Sequence, residues 1–259
     1  MSLANAATVL HWLRRHHPEV AVGELSAALN WPKSSTSRLL KDMSKLGLLE
    51  RDRETQRYRV GLMMLELGRQ YLSGGALIEK VDEELQQITL RTGYSSGISI
   101  RDGTDIVVVR SRAGTNPLRI VTPPGTRGPA WANSTGRCLL ARLSDAEIAD
   151  LFTPFPPQPQ SSAPENLEEL MKRITRTRLQ GWDESHDESL LGISGISVAI
   201  DDPDSGTLFA PYLAFSGIQV GSDERKRLTA MLVDLRTRLD TGPPPSSDAV
   251  RDHRRRARG

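Results

Sequence analysis

The chain has 259 residues, with 34 Lys or Arg against 32 Asp or Glu and a single Cys. That length suits two modest domains better than one large one. One thiol excludes an internal disulfide framework, no apolar run approaches the ~20 residues of a membrane helix, and the first ten residues lack the basic and apolar pattern of a secretory signal, so a cytoplasmic protein with no membrane partner is expected. The net charge of +2 conceals a division: residues 1–65 hold ten cations and six acids, residues 241–259 hold five and two, and the segment between them is net acidic. The acidic middle is not a nucleic-acid surface.

In chain order, a first helix is expected over 4–15, with Ala6, Val9, Leu10 and Leu13 inward and Pro18 as its stop. His16 and His17 fall in a solvated turn; neighbouring histidines diverge, and no Cys nearby completes a metal site. Leu25, Ala28 and Leu29 share one face of a short helix that Asn30 ends in a left-handed conformation, and Trp31-Pro32 make the turn. A second helix from about residue 33 to 46 follows from Leu39, Leu40, Met43 and Leu46 at helical spacing, closed by Gly47. Its other face carries Lys33, Ser34, Ser35, Ser37, Arg38 and Lys41, hydroxyls and cations suited to base edges and phosphates in a major groove, with Thr36 in the same run. Two short strands, 48–51 and 57–60, flank a polar turn with Arg53 and Glu54. The pattern is a winged helix-turn-helix, and its alternative is a small helical domain with a solvated charged face. Eight of the ten cations of residues 1–65 lie between Lys33 and Arg59, the footprint of a duplex-DNA binder. Arg53, Arg57 and Arg59 are the expected backbone contacts around the wing.

Beyond the wing, Leu62, Met64, Leu65, Leu67, Tyr71 and Leu72 make an apolar linker helix, broken at Gly74-Gly75. Its excess of apolar surface points to a partner chain or to the second domain. A helix over 76–92 presents Leu77, Val81, Leu85 and Ile88. Strands at 94–100 and 105–112 flank Asp102-Gly103 as a hairpin, and 118–122 reads as a third strand. A Pro- and Gly-rich loop then leads to a short helix at 134–143. Ser144 and Glu147 form a capping box for a helix over 145–152, and an extended loop spans 154–164. An amphipathic helix over 165–180 presents Leu167, Leu170, Met171 and Ile174 and ends at Gly181. Strands at 193–200 and 207–215 turn through 201–206, and a last helix over 223–240 buries Leu228, Leu232, Leu235 and Leu239. The fold class is α+β: an antiparallel sheet flanked by helices, behind a winged helix. The expected division is a DNA-binding domain at 1–62, a linker helix at 63–76, an effector-binding domain at 77–240 and a disordered basic tail at 241–259.

The run WPKSSTSRLLKDMSKLGLLERD, followed by RYRVGLMMLELG, resembles the N-terminal domain of the IclR family of bacterial transcriptional regulators. Trp31 stands where that family usually has Leu, and Ser35, Thr36 and Ser37 replace its common Thr, Val and His. PAWANSTGRCLLA, GWDESHDESLLGISGISVAI and YLAFSG resemble the family's GAF-like effector-binding domain. The resemblance implies a homodimer or tetramer on a nearly palindromic operator, with the linker helix contributing to dimerisation. Carried over residue by residue, it places the effector pocket at Ile120, Ser134, Thr135, Ser185, Asp187, Ile193, Gly195, Ala214 and Ser216. Free N–H groups at the helix start by Ser134 suit a carboxylate. Many members carry His where this chain has Trp131 and Cys where it has Gly195. Trp131 then reads either as an aromatic wall for a larger, aromatic acid or as plain core.

Two other classes compete with this reading. An enzyme would need a catalytic constellation, but Gly192-Ile193-Ser194-Gly195-Ile196 lacks the second Gly of a nucleophile elbow, Cys138 beside Leu139 and Leu140 reads as buried, and His186 has no metal or thiol partner in sequence. No catalytic residue, metal or cofactor is therefore expected. A constitutive architectural DNA binder would have no use for the large acidic second half. The tail's arginines read as a solvated end or as nonspecific phosphate contacts. The sequence thus predicts a ligand-responsive DNA-binding regulator with a small organic effector, carboxylate or aromatic.

Overall fold

The computed structural model describes residues 3–16, 18–72, 75–117 and 119–240. His17, the Gly74 half of the linker break, Leu118 and the basic tail at 241–259 lie outside the described residues. The chain divides into two compact units at 73/74.

In the first unit, α1 (Leu3–His16) is followed by a two-residue strand β1 (Glu19–Val20), α2 (Val22–Leu29) and α3 (Lys33–Lys45). Asn30 ends α2 at φ 52°, ψ 43°, the left-handed geometry that Asn tolerates better than most residues. Thr36, Leu39, Leu40 and Met43 form the buried stripe of α3, at the i, i+3, i+4, i+7 spacing of one helical face. They pack with Val9, Leu13, Leu25, Leu49 and Tyr58 into one core. Leu46 departs from expectation and is 65% exposed. It already lies outside the helix at φ −85°, ψ 2°, so the helical period no longer carries it inward. Strands β2 (Leu49–Arg51) and β3 (Tyr58–Val60) pair antiparallel, Glu50 opposite Arg59. β1 adds to the outer edge of β3, a strand too short to leave a periodic signal. At the wing tip, Asp52 Oδ1 accepts from the backbone N–H groups of Glu54 and Thr55 and from the Thr55 hydroxyl. These bonds, led by that from the Thr55 N–H, hold the Asp52 carboxyl below its ordinary pKa. The linker helix α4 (Leu62–Leu72) leaves Leu62, Leu65 and Leu67 exposed.

The second unit begins with α5 (Ala76–Thr92), ended by Gly93 at φ 75°. Ile78, Val81, Leu85 and Ile88 are buried; Ile78, rather than the expected Leu77, is the innermost residue of the first turn. The hairpin of β4 (Ser95–Asp102) and β5 (Asp105–Arg112) turns at Gly103, φ 63°. Next come β6 (Arg127–Pro129), a 3-10 turn (Ala130–Ala132), α6 (Ser134–Leu140), α7 (Asp145–Leu151) and α8 (Leu167–Gln180). Four strands follow, β7 (Asp183–His186), β8 (Ile193–Ser197), β9 (Ile200–Asp202) and β10 (Thr207–Ser216), and then α9 (Ser222–Leu239). The antiparallel sheet has the order β6-β5-β4-β10-β8-β7, with β9 beside β10. The architecture is α+β.

Two expectations about strands are corrected. No strand lies within 119–123; the place beside β5 is taken by β6. Pro117, Pro123 and Pro124 have no N–H to offer a ladder, so the chain pairs only once past them. β7 had no sequence signal because its inward residues, Asp183 and Ser185, are polar though buried.

Register assigns the two faces of the sheet. Gly97, Tyr212, Ser197 and Asp183 form one row, and Ser95, Ala214, Gly195 and Ser185 the next. Alternation puts both rows on one face. α6 lies on that face, since Ser185 Oγ is 3.3 Å from Ser134 Oγ. α5 lies on the other, where Thr89 Oγ1 donates to Ser96 Oγ at 2.7 Å.

Candidate functional site: a nucleic-acid surface and an effector face

On α3 the residues opposite the buried stripe are exposed: Lys33, Ser34, Ser35, Arg38 and Lys41, with Ser37 half-buried. Among the described residues, no ion pair is made by Lys33, Arg38, Lys41 or, at the wing tip, Arg53. Their charge is available to phosphate or base edges. Thr36 is a correction: it is wholly buried, and its hydroxyl donates to the Pro32 carbonyl at 3.1 Å. It stands three residues before Leu39 and four before Leu40, on the inward stripe, and has no access to DNA. Arg57 is a second correction. Its guanidinium forks onto both carboxylate oxygens of Glu24 at 3.0 and 2.7 Å and meets Glu19 at 2.9 Å. It ties the wing to α2 and is not a free wing cation; the Glu24 bond is the main cause of its raised pKa. Arg59 pairs with Glu50 across the strands at 3.1 Å, an exposed pair that solvent screens.

In the second unit the residues assigned to the effector gather around the start of α6. Ser134, Thr135, Ser185 and Ala214 are buried within 10% exposure. A Cβ added to Gly195 would lie 3.3 Å from Ser134 Oγ and 3.6 Å from Ser185 Oγ, so the glycine leaves room beside this hydroxyl pair. Ile193 and Ser216 are register partners on the same face. Asp187 sits beside this group at φ 54°, its Oδ1 accepting from Gly192 N–H at 2.7 Å, and thereby shapes the β7–β8 turn. Ile120 lies half-buried in the loop before β6, not in a strand.

Three features correct or extend this picture. Trp131 is 3% exposed and belongs to the core between α7 and α8, its ring edge-on to Phe155 at 4.9 Å. This packing is what the plain-core reading of Trp131 expects, with the ring turned to Phe155 and the α7–α8 core. Of the first-turn N–H groups of α6, Gly136 N–H is already taken by the Asn133 side chain at 2.7 Å. The aromatic residue on this face is Tyr212, which sequence reasoning passed over. A Cβ at Gly97 would fall 2.5 Å from its hydroxyl oxygen, so the ring is laid over Gly97. Burial pushes its phenol up to about 12, against a bond to Thr122 that lowers it. The signal was present in the facing pair Gly97 and Tyr212, visible only once the register is known.

Arg137 was also missed. It is fully buried, its Nε 2.5 Å from Asp183 Oδ2, its Nη1 bonded to Glu188 Oε2 and to the Trp131 carbonyl, and its Nη2 to the Glu184 carbonyl. It thus fastens the first turn of α6 to β7 and to the turn that carries Asp187. His186 stands between Ser194 and Glu184, with Nδ1 2.8 Å from Ser194 Oγ and Nε2 3.2 Å from Glu184 Oε1. Yet Ser194 is wholly buried, and Gly217 closes over its hydroxyl. No substrate reaches that oxygen. Burial raises the Cys138 thiol well above its ordinary pKa, so it stays protonated. Among the described residues, no cluster of His, Cys, Asp and Glu is arranged to hold a metal ion, and no helix is long and apolar enough to cross a membrane.

A winged helix with an unpaired basic face, followed by a separate α+β domain, is the layout of a transcriptional regulator with its own ligand-binding domain. The chain belongs to the IclR family: residues 2–53 match the IclR helix-turn-helix domain, and residues 69–240 match the bacterial transcriptional regulator IclR C-terminal domain. It is 26% identical over 259 residues to the HTH-type transcriptional repressor AllR of Salmonella typhi, covering 94% of this chain and 91% of that protein. It is 25% identical over 218 residues to the HTH-type transcriptional regulator XynR of Escherichia coli K12, covering 82% and 85%. Its fold is shared with an IclR regulator of Alicyclobacillus acidocaldarius, TM-score 0.80 at 20% identity over 92% of this chain and 96% of that one. It is also shared with an IclR homologue of Microbacterium hydrocarbonoxydans complexed with 4-hydroxybenzoate, TM-score 0.76 at 17% identity over 93% and 99%. These relatives are transcriptional regulators, not enzymes.

Proposed function

We propose that the protein is a ligand-responsive repressor that binds a palindromic operator in the cytoplasm as a homodimer or tetramer. The observation that carries this reading is the outer face of α3, where Lys33, Ser34, Ser35, Ser37, Arg38 and Lys41 stand together with no acid paired to their cations. Two such helices from two protomers enter successive major grooves, and Arg53 at the wing tip takes a phosphate. Repression is the role of the Salmonella relative AllR, and we carry it to this chain on that likeness. The exposed apolar side of α4 supports dimerisation through the linker helix. A small organic effector occupies the face of Ser134, Thr135, Ser185, Gly195 and Ala214, with Asp187, Ile193, Ser216 and Ile120 around it. The homologue complexed with 4-hydroxybenzoate supports an aromatic acid, for which Tyr212 now supplies the ring that Trp131 does not. Effector binding shifts the spacing of the two reading helices only by the difference in its affinity for the two arrangements.

The test is calorimetric titration of the purified protein with 4-hydroxybenzoate and with pyruvate, repeated on the operator complex. A saturable heat with one acid, lost in Ser134→Trp and accompanied by changed operator affinity, supports the proposal. Binding of neither acid, or binding that leaves operator affinity unchanged, removes the carboxylate-effector part.

A further inference from the structure

A cavity of ≈ 350 Å³ opens where the C-terminal ends of α6, α8 and α9 meet, with Ala141, Gln180, Gly181, Thr237 and Asp240 in its wall. Its volume is at the small end of ligand pockets. None of the residues assigned to the effector lines it.

Three guanidinium groups reach this cavity, and two of them are paired with carboxylates. Arg178 donates to the carbonyls of Ala141 and Leu143, closing the end of α6, and pairs with Asp145 at 2.6 Å. Arg142 pairs with Asp201 at 3.4 Å and Asp240 at 3.2 Å. Arg236 differs. Its Nη1 donates to the Gly181 carbonyl, and among the described residues no carboxylate pairs with it and no protein acceptor meets Nε or Nη2. Arg236 is half-buried, and the Nε–Nη2 edge of a guanidinium presents two parallel donors matched to the two oxygens of a carboxylate.

The remaining wall narrows the ligand further. Thr177 and Thr237 each donate their hydroxyl proton to their own helix, at 2.9 and 2.8 Å, which leaves oxygen lone pairs as acceptors only. An acceptor next to a cation suits a ligand hydroxyl that donates. Asp240 in the wall repels a second negative charge. We infer that this cavity is a second ligand site, separate from the effector face, that takes a small hydroxycarboxylate on Arg236.

The experiment is calorimetric titration of the full-length protein with glycerate, with propionate as an acid lacking hydroxyls and glycerol as a polyol lacking charge, followed by crystals grown with glycerate. The expected result is glycerate density against Arg236, about tenfold weaker binding in Arg236→Gln, a severalfold loss in Thr237→Val, no change in Ser134→Trp, weaker propionate and no glycerol binding. Thr237 is exposed on α9 and its substitution leaves the Gly181 bond in place, so that variant reads the site even where Arg236→Gln unfolds. Glycerate binding abolished by Ser134→Trp, unmoved by both cavity substitutions, or absent at saturating concentration overturns the inference.

Discussion

Arg38 and Thr36 stand two residues apart on one helix, and their surroundings assign them opposite work. Arg38 is exposed and unpaired; Thr36 is sealed against the core with its hydroxyl on Pro32. Arg38→Ala is expected to weaken operator binding by about 1–3 kcal/mol if the side chain reads a base, with the folding midpoint unmoved. Thr36→Val is expected to do the reverse, costing about 1 kcal/mol of stability for the lost hydrogen bond while leaving DNA affinity of the folded protein intact. Binding titration and thermal melting of both variants check the pair, and an affinity loss confined to Thr36→Val would reverse the assignment. Arg57 follows the same logic. Its ion pairs with Glu24 and Glu19 hold the wing, so Arg57→Ala should lower the melting temperature of the first unit more than it alters the salt dependence of binding. Spacing placed Lys33, Ser34, Arg38 and Lys41 on the exposed face of α3, where the structure has them. It mistook Thr36 and Arg57 because hydroxyls and guanidinium groups serve core and surface equally well, and only the three-dimensional neighbours tell which.

At the scale of elements, the segments with strong local chemistry were legible. The capping box of α7 is present as read, with Ser144 Oγ accepting from Glu147 N–H at 3.3 Å and Glu147 accepting from Ser144 N–H at 2.8 Å. That second bond is the main cause of the lowered Glu147 pKa. A carboxyl whose folded pKa is depressed contributes stability above its unfolded pKa and loses it as pH falls through the folded one. Ser144→Ala keeps that backbone bond but removes the cap and the hydroxyl's own 2.8 Å bond to the Glu147 carboxylate, the second cause of the lowering. It should therefore lower the melting temperature by about 2–4 °C at neutral pH, and the difference from wild type should shrink in acid as Glu147 is protonated. A pH-independent difference would contradict this account of the cap. What was not legible depended on long-range pairing. β7 is a polar strand buried by Arg137, and the loop through Ile120 was read as a strand because Val121 and Ile120 are good strand formers whose neighbouring prolines decide otherwise. The start of α6 rests on a close approach: a Cβ on Gly136 would fall 2.0 Å from the Ala130 carbonyl oxygen. Gly136→Ala is expected to displace the 3-10 turn from α6 and to destabilise the second unit by several kcal/mol, read as a loss of soluble, cooperatively melting protein.

For the molecule as a whole, charge and burial divide the work between the two units. The first unit concentrates unpaired cations on one face of α3 and the wing tip, whereas among the described residues the second pairs most of its arginines with acids, as Arg137, Arg142 and Arg178 show. This division was visible in the sequence as a basic N-terminal segment before an acidic middle; the internal pairing was not, because net charge does not report which cations are already matched. Affinity should accordingly come from the first unit and should fall steeply with salt as phosphate counterions are released. The most direct test of the central claim is selection of bound sequences from random duplex DNA by the purified full-length protein, followed by affinity of the selected site against salt concentration. The account predicts recovery of a palindromic site whose binding weakens steeply with salt and whose affinity drops in Arg38→Ala. Failure to enrich any sequence, with and without a cell extract supplying effector, would contradict it.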